Sequence, residues 1–162
     1  MIVDIVNNWL KSVQDDLIKS YNDKGLRASG RWADALEPFA EFTDNGIRTG
    51  ILGAPYTGAL TGGRKPTSGG NAGNETLRDV IRVWIDDKGI VPDGISKDSL
   101  AYLIARKIHT EGIQVPNKYN VGGLVSDVVN DSRIDLLVQE MKLYYVDEMR
   151  ATTIRNIKTT QI

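Results

Sequence analysis

The sequence predicts an α+β fold: a small antiparallel sheet packed with an N-terminal helix, two central short helices and a C-terminal helical arm. Three observations carry that expectation. Residues 2–22 repeat apolar side chains at three- and four-residue spacing, Asp44-Asn45-Gly46 marks a hairpin between two short strand patterns, and helical stripes return after residue 74. At 162 residues the chain reads as one domain, with a core over residues 1–113 and an arm over 114–162 of the same domain. Folding a chain of this size buries roughly 70% of its extended surface, so neither disulfide nor metal is needed to hold it.

In the first helix, Ile2, Val6, Trp9, Leu10, Val13, Leu17 and Tyr21 form one stripe, with Asn7, Lys11, Asp15 and Lys19 mostly opposite. Trp9 lies within the stripe and is expected in the core. Gly25 is positioned as a left-handed helix stop. After a break at Ala28-Ser29-Gly30-Arg31, a strand is expected over Phe39–Thr43, with Pro38 either delaying it or making it an edge. Ile47–Leu52 returns, alternating Ile47, Thr49 and Ile51 against Arg48, Gly50 and Leu52. A hairpin alone is marginal, so further strands are expected from residues 58–61, the C-terminal tail or a neighbouring subunit.

Glycines at 53, 58, 62, 63, 69, 70 and 73 suggest a long exposed loop, mobile unless a neighbour holds it. Asn74 is placed to cap the next helix, where Leu77, Val80, Ile81, Trp84 and Ile85 repeat; Trp84 and Ile85 are expected core anchors. Ser96 caps a third helix with Leu100, Ala101, Ile104, Ala105 and Ile108 on one face, Ile108 being another anchor. Gly112 is expected to end it as Gly89 ends the second. A polar linker follows to Gly123, then a short helix over Leu124–Val129. The arm carries Ile134, Leu137, Val138, Met141, Tyr145 and Met149 in a helical stripe. Its tail, 151–160, is β-branched and poor for helix.

Composition limits the chemistry. The chain has no cysteine and one histidine, which removes thiolate sites and makes a Ser-His-Asp triad or a histidine metal cage improbable. No cofactor is expected. A net charge of −1 argues against wrapping nucleic acid through the overall field. Asp4 stands where a secretion signal carries lysine or arginine, and no run of 18 apolar residues occurs, so neither a signal nor a membrane span is expected.

Gly58-x-x-x-Gly62-Gly63-Arg64-Lys65-Pro66 fails as a phosphate cradle. Its first two glycines are one residue too close, and no helix opens directly after the cations. Arg64 and Lys65 either meet a nucleic-acid backbone or a partner's carboxylates, or are solvated loop charges. His109 reads as an exposed helix residue. Asp15-Asp16 and Asp86-Asp87 are sequence neighbours that diverge around a helix, so neither pair makes an acid/base dyad. No enzyme site emerges.

In order along the chain stand a helix, the Ala28-Ser29-Gly30 break, strands, Tyr56, Gly63-Arg64-Lys65-Pro66, Trp84-Ile85, Lys88-Gly89-Ile90 and Gly112-Ile113. In that order, residues 1–113 resemble the tail-completion and head–tail-joining proteins of tailed bacteriophages. The resemblance implies a structural virion protein of the neck, assembled in the host cytoplasm. It implies a homo-oligomeric ring, twelve-fold or six-fold, between portal or adaptor and tail, with DNA passing non-specifically through the centre and no membrane partner. On that reading Arg48, Tyr56, Gly62, Gly63, Arg64 and Lys65 are the expected assembly or channel contacts. The glycine-rich stretch 66–73 and the long arm depart from the family pattern; arms of this kind also occur in crAss-like phages. The alternative is a small nucleic-acid-binding module using Arg48, Arg64 and Lys65.

Overall fold

The structure, a computed structural model, describes residues 1–67 and 76–159. In chain order it contains helix α1 (Ile2–Asp23), the short helix α2 (Arg31–Asp34), strands β1 (Glu37–Thr43) and β2 (Gly46–Leu52), then helices α3 (Thr57–Gly62), α4 (Leu77–Asp87), α5 (Lys97–Glu111) and α6 (Asp131–Thr159). The α+β class holds.

Helix α1 forms because its apolar residues share one face, and that face is buried: Val6, Leu10, Val13, Leu17 and Tyr21. It ends where glycine permits a left-handed turn. Gly25, at φ 68°, turns the chain so that the Leu26 amide donates to the Tyr21 carbonyl at 3.1 Å. The core gathers on the C-terminal half of α1. Val13, Leu17 and Tyr21 pack with Trp32, Ala33, Leu36, Ala54, Leu124 and Val128, and Trp9, Ile51 and Leu60 border them. Leu124 and Val128 come from the segment expected to be a linker and short helix; 124–129 is a series of turns, yet it closes the core.

β1 pairs antiparallel with β2, from Glu37 opposite Leu52 to Thr43 opposite Gly46. The strand begins at Glu37 rather than Phe39. Pro38 is accommodated because both strands of a two-stranded sheet are edges, and a ring without an N–H leaves no ladder bond broken on an open side. Among the described residues no third strand joins them. Of the three expected sources, residues 58–61 are helical and the tail is helical to Thr159, which leaves a neighbouring subunit.

That tail corrects a propensity argument. Its β-branched residues disfavour starting a helix, but here they extend one already nucleated, which avoids the costly step. Thr153 and Thr159 also donate their hydroxyls to the carbonyls of Met149 and Arg155, at 2.8 and 2.7 Å.

Helices α4 and α5 pack against each other. Ile85, Ala101, Ala105 and Ile108 are buried, as expected of anchors Ile85 and Ile108. Trp84 is not an anchor: it is exposed, beside Val80 and Val83 on the outer face of α4. Among the described elements only α5 covers α4 extensively, so the buried stripe is narrow and centred on Ile85. The N-cap is Thr76, whose hydroxyl accepts from the Asp79 amide at 3.3 Å; Asn74 lies outside the described residues. Lys88, donating to the Gly25 carbonyl at 2.6 Å, ties the end of α4 to the end of α1.

Candidate assembly interface

The glycine-rich segment is an ordered junction over its described part, and the stretch 66–73, whose composition suggests a long exposed loop, lies mostly outside the described residues. Residues 57–62 form α3, and the chain then crosses the end of α5. Arg64 and Ile113 exchange backbone hydrogen bonds, 2.7 Å in each direction, and the Thr67 amide donates to the His109 carbonyl at 3.0 Å. The crossing requires glycine on both strands. A Cβ on Gly63 would stand 2.1 Å from the Ile113 carbonyl oxygen, and one on Gly112 would stand 2.2 Å from that of Arg64. Gly112 therefore does not repeat the stop at Gly89. Gly89 closes a turn in which Ile90 donates back to Ile85, whereas Gly112 sends the chain straight into the bridge. The glycines at 69, 70 and 73 lie outside the described residues.

α3 is pinned from two sides that the sequence does not advertise. The Trp32 indole N–H donates to the Thr57 hydroxyl at 3.0 Å, which donates on to the Ala54 carbonyl at 2.6 Å. Trp32 is buried and its ring lies 4.8 Å from that of Tyr21. From the other side, buried Asn120 donates to the Leu60 carbonyl at 2.8 Å and accepts from the Gly122 amide at 3.0 Å. The polar stretch 115–123 is thus a clamp on α3. Its asparagine is buried because both halves of its amide are bonded.

Of the expected contact residues, Gly62, Gly63, Arg64 and Lys65 sit together at the end of α3 and Tyr56 stands at its start. Gly62, Arg64, Lys65 and Tyr56 are exposed, while Gly63 is half-buried by the crossing it permits. The Tyr56 phenol is held above its ordinary value, chiefly by partial burial, with Tyr21 adding and Arg31 opposing. Arg48 belongs to a different element. On β2 it meets Glu41 across the hairpin at 3.3 Å and lies 5.6 Å over the Phe39 ring. Arg64 reaches Thr67 at 3.3 Å, and no bond connects it to Arg48. Of the core anchors, Trp9 is half-buried, and its indole donates to the Arg133 carbonyl at 3.3 Å.

Among the described residues, α6 carries nine of the exposed large hydrophobic side chains. The base of this helix is fastened to α1: Arg133 reaches Asp16 and Ser12, both at 2.7 Å, and its amide is capped by the Asn130 side chain at 3.0 Å. Leu137 is its one buried residue, and Met141 and Tyr144 are half-buried. From Tyr145 to Thr159 every residue is exposed. Leu136, Leu143, Val146, Ile154 and Ile157 recur at spacings that place them on one outward face, with Arg150 among them. Beside the base of α6 and against α1 lies an open cleft of about 570 Å³, lined by Trp9, Asp16, Asp127, Val128, Leu136 and Glu140 among others.

Between α4 and α5 the charges form a small network. Arg82 on α4 meets Asp86 on its own helix and Asp98 on α5, and Lys97 meets Asp86 at 2.6 Å. Hydrogen bonds from Lys97, then Arg82, hold the Asp86 carboxyl below its ordinary value. Those from Thr76 do the same for Asp79. Among the described residues, no three histidine or acidic side chains gather as a metal site would require, and no helix is long and apolar enough to cross a membrane. Comparisons with protein-family models, curated proteins and solved structures found no match.

Proposed function

We propose that this chain is a structural protein of a tailed-bacteriophage neck, forming a ring that connects portal or adaptor to tail and lets DNA pass through its centre. One observation carries the reading from the side of structure. Among the described residues, a 29-residue helix is anchored only at its base and presents nine large hydrophobic residues to solvent. Five of them, Leu136, Leu143, Val146, Ile154 and Ile157, share one face, and an exposed apolar stripe of this kind fits a chain that works by assembly. The ordered series of motifs from the N-terminal helix to Gly112-Ile113 supports the specific assembly. A net charge of −1 suits a passage that must not grip DNA.

The test is to mix the purified chain with portal rings and with tails and to image the products. The proposal expects closed rings seated on the portal, and particles assembled without the chain to accumulate unjoined heads and tails. A chain that never binds portal, adaptor or tail, and whose absence leaves joined particles, would overturn it. Salt-dependent DNA affinity that collapses when Arg48, Arg64 and Lys65 are neutralised, without any ring, would replace it with the nucleic-acid module.

A further inference from the structure

We infer that the distal half of α6 is a clasp, docking into the α1–α6 cleft of a second copy of the same chain. The inference rests on the ring reading only in taking another copy of this chain as the occupant.

Geometry excludes the chain's own cleft. α6 starts at the cleft and runs away from it as one continuous helix, and at 1.5 Å per residue Ile154 lies about 31 Å along the axis from Arg133. A rigid helix cannot return to its own base. Something else must cover Val146, Met149, Ile154 and Ile157, and the cleft offers a floor of the same character in Trp9, Val128 and Leu136.

Charge points to the same pairing. The distal half of α6 carries Asp147 and Glu148 at its start, and its last ten residues, 150–159, carry Arg150, Arg155 and Lys158 and no acid. The cleft carries Asp16, which is paired with Arg133; Asp127, which is paired with Lys24; and Glu140, which is left without a cation among the described residues. Among the described residues Glu140 and the three distal cations make no ion pair. Like ends of α6 would repel one another, and the basic end fits an acidic base. A contact between two different patches is heterologous, the type that closes into rings when each step adds a rotation.

The absence of cysteine supplies a clean test. Leu136→Cys marks the cleft and Ile154→Cys marks the clasp, both at exposed sites on α6. The two residues are 18 positions apart on one helix, about 27 Å, far beyond disulfide reach within a chain. Mixed L136C and I154C chains should form a disulfide-linked pair under mild oxidation, while either variant alone should form little. The full-length triple variant R150E/R155E/K158E should weaken self-association at least tenfold, measured by sedimentation with circular dichroism to confirm folding. Adding Glu140→Lys to that variant should restore part of the loss.

Crosslinking confined to I154C alone, or association indifferent to the triple reversal, would overturn the clasp while leaving a ring built on other surfaces. A chain monomeric at all concentrations would also overturn it. Crosslinked L136C–I154C pairs that close reciprocally as dimers would uphold the clasp and remove the ring.

Discussion

Two helices bracket this molecule, and they answer the same sequence pattern in opposite ways. In α1 the apolar stripe is a single band, and five of its members are buried. In α6 apolar residues occupy the stripe Ile134, Leu137, Val138, Met141, Tyr145 and Met149 and also a second face through Leu143, Val146, Ile154 and Ile157. Only Leu137 is buried. One band can be satisfied by one neighbour. Two bands on a helix with one neighbour leave surface for another molecule.

That contrast is open to attack by substitution. The largest effect is expected at Trp32, where Trp32→Ala removes a buried indole, its contact with Tyr21 and the hydrogen bond that holds Thr57. It should cost about 3–5 kcal/mol in urea unfolding. Leu17→Ala in α1 should follow at about 2–5 kcal/mol. Ile154→Ala in α6 should change the unfolding of the isolated chain by less than about 0.5 kcal/mol, yet weaken its association. If Ile154→Ala unfolds the chain as Leu17→Ala does, the distinction between core helix and assembly helix collapses.

A smaller effect separates required glycines from permitted ones. Gly63→Ala forces a Cβ against the Ile113 carbonyl and should lower stability by about 1–3 kcal/mol. Gly58, in α3 with open space around its Cβ position, should gain up to about 1 kcal/mol as alanine. Thermal unfolding of the pair reads both signs; equal behaviour would deny the crossing at Gly63 and Gly112.

The smallest effect is electrostatic. Asp79 and Asp86 have folded pKa values below the ordinary 3.8, so protonation favours the unfolded state. Their contribution is complete above that value and is lost as pH falls through the depressed ones. Hydrogen exchange should show α4 and α5 loosening at acid pH before α1 does, with Asp86→Asn reducing the difference. Both carboxylates are solvent-exposed, so the change is small. Parallel loosening of α1 would contradict it.

The pattern of what could be read in advance has physical causes. α1, the hairpin, α4, α5 and the stripe of α6 are visible because each carries its own periodicity or turn chemistry. α2 is too short to repeat, so Trp32 gives no sign that it is the largest fully buried side chain. α3 is masked by its own glycines, and the bonds that fix it come from Trp32 and Asn120, distant in sequence. Burial is equally non-local. Trp84 sits in a clean stripe but stays partly exposed because, among the described elements, only α5 packs extensively on α4. Gly62–Lys65, expected as contact residues, sit together, and their order comes from Ile113, which nothing in the local sequence signals. The α1–α6 cleft needs two ends of the chain to meet, and no local pattern announces it.

The central claim is that this chain completes itself in a ring. Native mass spectrometry of the full-length protein, with class averages from electron microscopy of the same sample, measures it most directly. The account predicts closed assemblies of six or twelve copies around an open centre, forming alone or on added portal. A monomer that stays a monomer with portal present, or an assembly without a central opening, would contradict it.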